Sequence, residues 1–293
     1  MRKTIVLFGL LCILLTACTV QAEPADIAAT TLPVYEFTVR LCDGTGLTVT
    51  RLVTESVSCL HDYSLNVNQV RAAEAAELIV ISGAGLEDFM AEILDGKQTV
   101  DASGGIELLE SCHHHDHAHE DHEEDHEDEV DAHIWLSPEN AAIMASNICA
   151  GLAGKYPEHR GAFEQNLTAL LADIAALQAY GEEKLSALSN TEIITFHDGF
   201  AYFAEVYGLD IVKAIEEEAG AEASAAELIE IISLVNEHNI TAIFTEVSGS
   251  TSAAQTICAE TGSAVHTLDM AISGDSWFDA MYRNIDTIKE ALG

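Results

Sequence analysis

Leu167, Leu170, Leu171, Ile174 and Leu177 recur at three- and four-residue steps, the spacing of one apolar face on an α-helix. The pattern predicts a helix over 158–188, which at 1.5 Å per residue is roughly 45 Å long. A helix of that length suits a rigid spine between two lobes better than a segment inside one. An earlier helix begins at Ser137-Pro138, where Ser137 can cap it and Pro138 suits the first turn. The two are separated by a break at Gly154-Lys155-Tyr156-Pro157.

On either side of this helical stretch, short β-prone runs alternate with helices. Before it come the runs 26–31, 47–53 and 78–82, with an Ala/Glu-rich helix at 66–77 and a second helix around 86–94, after the turn Gly83-Ala84-Gly85. After it come strands at 192–196, 210–214, 241–246 and 264–268, interleaved with helices at 223–238, 251–261 and 277–291. That rhythm implies parallel sheets covered by helices. The fold class expected is α/β: two parallel-sheet lobes, 26–137 and 190–293, joined through a helical segment at 138–189 that contains the linking helix.

The first seventeen residues differ from all that follow. Arg2 and Lys3 precede the apolar run Ile5–Leu15, which is too short to span a bilayer, a task for about 20 apolar residues. This is the layout of a secretory signal over 1–17. It ends in Leu15-Thr16-Ala17-Cys18, which resembles a bacterial lipobox; that resemblance implies cleavage before Cys18, acylation of its thiol and a lipidated tether over 18–25. Loss of Arg2 and Lys3 takes the formal net charge from −37 to −39. Such a field repels phosphate backbones, so nucleic acid is excluded as a partner, and it favours cations.

Between the first lobe's strands and Ser137 the rhythm breaks. Of the fourteen residues 113–126, seven are His (His113, His114, His115, His117, His119, His122 and His126) and six are acidic. So polar a stretch is a surface insertion outside any core. Dense imidazoles among carboxylates favour an accessory metal-collecting or sensing loop over a solvated linker that binds metal incidentally. The cysteines beyond the signal and lipobox, Cys42, Cys59, Cys112, Cys149 and Cys258, show no CxxC spacing, so a zinc ribbon has no support.

Six histidines lie outside the tract. His159 sits beside Arg160 on the spine helix, His238 closes a helix where a cation favours the dipole, and His266 lies within a strand. The other three, His61, His133 and His197, fall next to predicted strand or helix ends, where open α/β sheets place their ligands. Asp269 directly follows the strand 264–268. Three imidazoles and one carboxylate form a tetrahedral set suited to Zn²⁺ at roughly 2.0–2.2 Å, whereas harder Mn²⁺ prefers more oxygen. Glu246 ends the strand 241–246 and points to the same cleft, as an alternative fourth ligand or a partner fixing a His tautomer; Asp269 ranks ahead of it.

From about residue 24 onward the chain resembles the zinc/manganese solute-binding lipoproteins of ABC transporters. The stretches that match are His61-Asp62-Tyr63-Ser64-Leu65, His133-Ile134-Trp135-Leu136-Ser137-Pro138-Glu139-Asn140-Ala141, Thr195-Phe196-His197-Asp198-Gly199-Phe200-Ala201-Tyr202-Phe203, Ile243-Phe244-Thr245-Glu246, and Leu268-Asp269 followed by Met281 and Asn284. The resemblance implies metal ligands at His61, His133, His197 and Asp269 in the cleft between the lobes. A His at the third position and a His-rich loop point to the zinc branch. It implies an extracytoplasmic, lipid-anchored, monomeric binding component that hands Zn²⁺ to a membrane permease driven by an ATPase. Three positions depart from the family pattern: Val67-Asn68-Gln69 stands for its Pro-x-Asp, Ala132 for the Pro of Asp-Pro-His, and Met270 for the Pro after Leu-Asp.

Two other functions share parts of this reading. A surface adhesin or zinc store would use the same site without a transporter. A zinc hydrolase would keep an open coordination position and a general base, and no HExxH helix is present, so no enzyme is expected.

Overall fold

A computed structural model describes residues 25–57, 60, 63–110, 130–216, 224–247 and 251–293. His61, the tract 113–126, Cys18, Cys59 and Cys112 lie outside the described residues.

The first lobe runs β1 (Ile27–Ala29), α1 (Leu32–Leu41), β2 (Val49–Arg51), α2 (Val67–Ala75), β3 (Leu78–Ile81), α3 (Ala91–Leu94) and β4 (Thr99–Asp101). Its sheet has the order β2-β1-β3-β4 with parallel pairing throughout. Two helices follow, α4 (Pro138–Lys155) and α5 (Arg160–Leu185). The second lobe runs β5 (Glu192–His197), α6 (Ala201–Tyr207), β6 (Asp210–Glu216), α7 (Ala225–His238), β7 (Ala242–Glu246), α8 (Ser252–Thr261), β8 (Ala264–Leu268) and α9 (Trp277–Leu292). Its sheet, also parallel, has the order β6-β5-β7-β8. The expected architecture of two parallel α/β lobes with a long helix is the one observed. Among the described residues, no helix is long and apolar enough to cross a membrane.

Local chemistry accounts for the element boundaries. Ile193–His197 are all buried, as befits an inner parallel strand covered on both faces. Ser137 caps α4 by accepting from the Asn140 amide, and Pro138 occupies the first turn. At α2, where the family pattern has Pro-x-Asp, a capping box does the same work: the Asn66 side chain accepts from the amides of Asn68 and Gln69, and Gln69 accepts from the Asn66 amide. Helix α1 has no counterpart among the sequence-derived elements. Its Val34, Tyr35, Phe37, Thr38 and Val39 favour strands, and burial of Leu32, Val34, Phe37 and Leu41 overrides that preference.

One hydrophobic core runs through both lobes and α4, α5 and α9. Helix α5 is 26 residues long and packs on α4, α9 and α1, while α9 also reaches α1. Polar contacts reinforce the junction. Glu36 of α1 accepts hydrogen bonds from Ser276 Oγ and the Trp277 amide, and so caps the N-terminus of α9. Burial raises the Glu36 carboxyl above the usual range, against the pull of these bonds. Arg40 pairs with Asp173 of α5, and the Leu32 amide donates to Ile272 O at 3.0 Å. Phe37 and Trp277, both fully buried, meet edge to face with centroids 5.1 Å apart.

Candidate metal centre

His197 is the last residue of β5, so the strand's carboxyl end delivers its imidazole to the junction between the lobes. His133 precedes a short 3₁₀ turn, Ile134–Leu136, that leads into α4. Both residues are 2% exposed. Their Nε2 atoms face each other at 3.1 Å, with ring centroids 4.9 Å apart and planes at 85°. Two nitrogens bound to one tetrahedral Zn²⁺ at 2.0–2.1 Å would lie roughly 3.3–3.4 Å apart. The pair therefore sits within a few tenths of an ångström of the spacing a zinc ion requires.

The surroundings explain how the rings are held. Asp131 Oδ1 accepts from the His133 amide at 2.9 Å and lies 2.7 Å from His133 Nδ1. Tyr202 on α6 donates its hydroxyl to Asp131 O at 2.9 Å and accepts from the Leu109 amide at 2.9 Å. Burial pushes the Tyr202 hydroxyl up to about 12, so it stays protonated and able to donate. The Asp131 amide in turn donates to Leu109 O at 2.9 Å. Gly199, two residues after His197, leaves room for both rings. A Cβ there would lie 2.7 Å from Met270 Cε, 2.8 Å from His197 Cδ2 and 3.0 Å from His133 Cε1.

Glu246 ends β7, 4% exposed, and Asp269 directly follows β8. Asp269 is fixed by its own loop and by α9. Oδ1 accepts from the Ala271 amide at 2.9 Å and Oδ2 from Arg283 Nη2 at 3.0 Å. Asn284 exchanges hydrogen bonds with the Asp269 backbone at 2.8 and 2.7 Å. Two bonds leave lone pairs available on a carboxylate that has about four acceptor sites. Both acidic residues line a cavity of about 220 Å³ whose other wall is Arg51, Thr54, Ser56 and Val57 of the first lobe. Among the described residues, His133 and His197 come together, and no group of three or more His, Cys, Asp or Glu side chains forms a ready coordination sphere.

The remaining histidines have structural settings. His238, at the end of α7, has Nδ1 3.1 Å from Glu192 Oε1, and His266 on β8 lies against the Phe244 ring of β7. Cys42, Cys149 and Cys258 carry free thiols. Asp131, Gly199 and Tyr202 were absent from the sequence-derived candidates. An Asp two residues before a candidate His was the one available sign for Asp131, and it was lost in the acidic run that precedes it.

Two parallel α/β lobes, a helical connector and a buried imidazole pair at their junction define a two-lobed solute-binding fold. Residues 27–291 match the family described as zinc-uptake complex component A, periplasmic. The chain therefore belongs to that zinc-uptake component A family. It is 29% identical, over 311 aligned positions, to the zinc-binding lipoprotein AdcA of Streptococcus pneumoniae serotype 4, an alignment that covers 99% of this chain. It spans 61% of the length of that streptococcal relative. It is 30% identical over 285 positions to the high-affinity zinc uptake system protein ZnuA of Bacillus subtilis, covering 93% of this chain and 89% of that one. A crystal structure of ZnuA superimposes with a TM-score of 0.78 at 30% identity, over 92% of this chain and all of the other.

Proposed function

We propose that this protein captures Zn²⁺ outside the cytoplasm and delivers it to the permease of an ATP-driven importer. The observation that carries the reading is the 3.1 Å spacing of the two buried Nε2 atoms of His133 and His197, close to that of two ligands on one zinc ion. Family membership and the zinc-related names of its relatives support the same reading. The ligand set is His61, His133, His197 and Asp269, with Glu246 as the alternative carboxylate. Residues 1–17 act as the export signal and Cys18 as the lipid-bearing tether. The units 26–137, 138–189 and 190–293 form the first lobe, the helical connector and the second lobe, and the monomer works without catalysing a reaction. The His-rich tract 113–126 collects ions weakly beside this site.

Calorimetric titration of the mature chain tests the reading. One tight Zn²⁺ equivalent is expected, with weaker sites beyond it. Replacing His61, His133 and His197 together by Ala should abolish the tight equivalent, and its survival would overturn the assignment. Deleting 113–126 should remove only the weak sites. Asp269→Ala should weaken the tight site more than Glu246→Ala does; the reverse order would exchange their roles.

A further inference from the structure

We propose that Asp131 is the positioning residue for metal capture, holding His133 as the Nδ1–H tautomer with a bare Nε2, while Tyr202 anchors Asp131 from the second lobe. The proposal rests on the metal site described above, and it adds a division of labour between that site's two imidazoles.

An ionised carboxylate only accepts hydrogen bonds. Because Asp131 Oδ1 lies 2.7 Å from His133 Nδ1, that nitrogen carries the hydrogen and Nε2 carries the lone pair. The same oxygen also accepts from the His133 amide at 2.9 Å, so one atom fixes both the backbone and the ring of that residue. Asp131 and His133 are buried, with 7% and 2% exposure, so the bond competes with little water. Rotation of the ring by half a turn would leave a buried carboxylate oxygen short of a donor, at a desolvation cost.

The main chain of Asp131 is itself held from outside its segment. Its carbonyl accepts from Tyr202, whose hydroxyl also receives the Leu109 amide, and its amide donates to Leu109 O. Tyr202 lies in α6, which directly follows the turn after His197. The helix that follows one imidazole's strand thus reaches across to hold the segment that positions the other. At this point the family pattern has a Pro before the His, and this chain has Ala132. Ala132 has no ring to lock its φ, and the hydrogen bonds of Asp131 with His133, Tyr202 and Leu109 hold the segment.

With His133 Nε2 as an acceptor, the 3.1 Å contact takes its hydrogen from His197. His133 is therefore the ligand preset for an ion, and His197 the one that changes on capture.

The test combines zinc titration by calorimetry with ¹⁵N NMR of the histidine rings in the zinc-free, full mature chain. In the unaltered protein His133 should appear as the Nδ1–H tautomer; an Nε2–H tautomer would overturn the proposal without any variant. Asp131→Ala should still bind one Zn²⁺, about 10–100-fold more weakly, and its His133 should populate both tautomers. Asp131→Asn, which keeps an acceptor, should fall between. Tyr202→Phe should weaken binding in the same direction by a smaller factor, and it decides the case if Asp131→Ala fails to fold. A folded Asp131→Ala within two-fold of the unaltered affinity overturns the proposal. His133→Ala, measured alongside, separates the two readings. If it loses tight binding while Asp131→Ala keeps it, only the positioning role fails; if His133→Ala binds as before, the site itself is misassigned.

Discussion

The indole Nε1 of Trp135 donates a 2.7 Å hydrogen bond to the carbonyl of Met270, joining the segment after His133 to the residue after Asp269. The Trp135 carbonyl in turn accepts from the indole of Trp277 at 3.1 Å. All three side chains are buried. Trp135→Phe keeps an aromatic ring but leaves the Met270 carbonyl without its donor. The variant should lose about 1–3 kcal/mol in chemical denaturation, as expected for an orphaned buried acceptor. It should also bind Zn²⁺ more weakly, because the bond sets the distance between two proposed ligand segments. Unchanged stability would mean that the indole contributes packing alone.

Gly199→Ala tests how tightly the imidazole pair is enclosed. Its new methyl would arrive 2.7 Å from Met270 Cε, 2.8 Å from the His197 ring and 3.0 Å from the His133 ring, all tighter than ordinary van der Waals contact. Overpacking of this kind costs about 1–3 kcal/mol. The more specific outcome is a Zn²⁺ affinity lowered about ten-fold with the stoichiometry kept at one, read by calorimetry. An affinity equal to that of the unaltered chain would show that the rings can shift and still bind.

Glu87 gives a pH dependence whose direction is opposite to that of most paired carboxylates. It accepts from Thr30 Oγ1 at 2.6 Å, Ser82 N at 2.8 Å and Gly83 N at 3.0 Å, tying the ends of β1 and β3 together. Burial outweighs these bonds and raises its carboxyl to about 7, from an ordinary value of 4.5. Between those values the folded chain holds a proton that the unfolded chain has released, so stability is greatest below the lower value and declines as pH rises to the upper one. The full effect is on the order of 3 kcal/mol. The advantage of the unaltered chain over Glu87→Gln should therefore shrink from pH 5 to pH 7.5 in urea unfolding. An advantage that stays constant or grows would contradict the assignment.

The sequence made the lobes legible because their strands are continuous apolar runs and their connector has an unbroken helical period. Ile193–Phe196 and the Leu167–Leu177 stripe are examples where local pattern and tertiary burial agree. Where they disagree, pattern was silent: α1 is built from strand-forming residues and is helical because the core needs its buried face. The edge strand β4 has no counterpart among the expected strands. In the site, His133 and His197 stood out by type and position. Asp131 and Tyr202 did not, since their roles arise from a bend and a contact across 71 residues of chain. No local spacing encodes such a contact.

The cap that Glu36 places on α9 has a consequence for how the chain matures. Helix α9 is synthesised after every element it covers, yet α1, near the beginning, depends on it to bury Phe37 and to occupy the Glu36 carboxylate. A first lobe that emerges ahead of the second can therefore be threaded and paired but still uncovered along one flank. Synthesis of the second lobe is also the closing step for the first, and a chain arrested before Ser276 would present quality-control proteases with an exposed apolar surface.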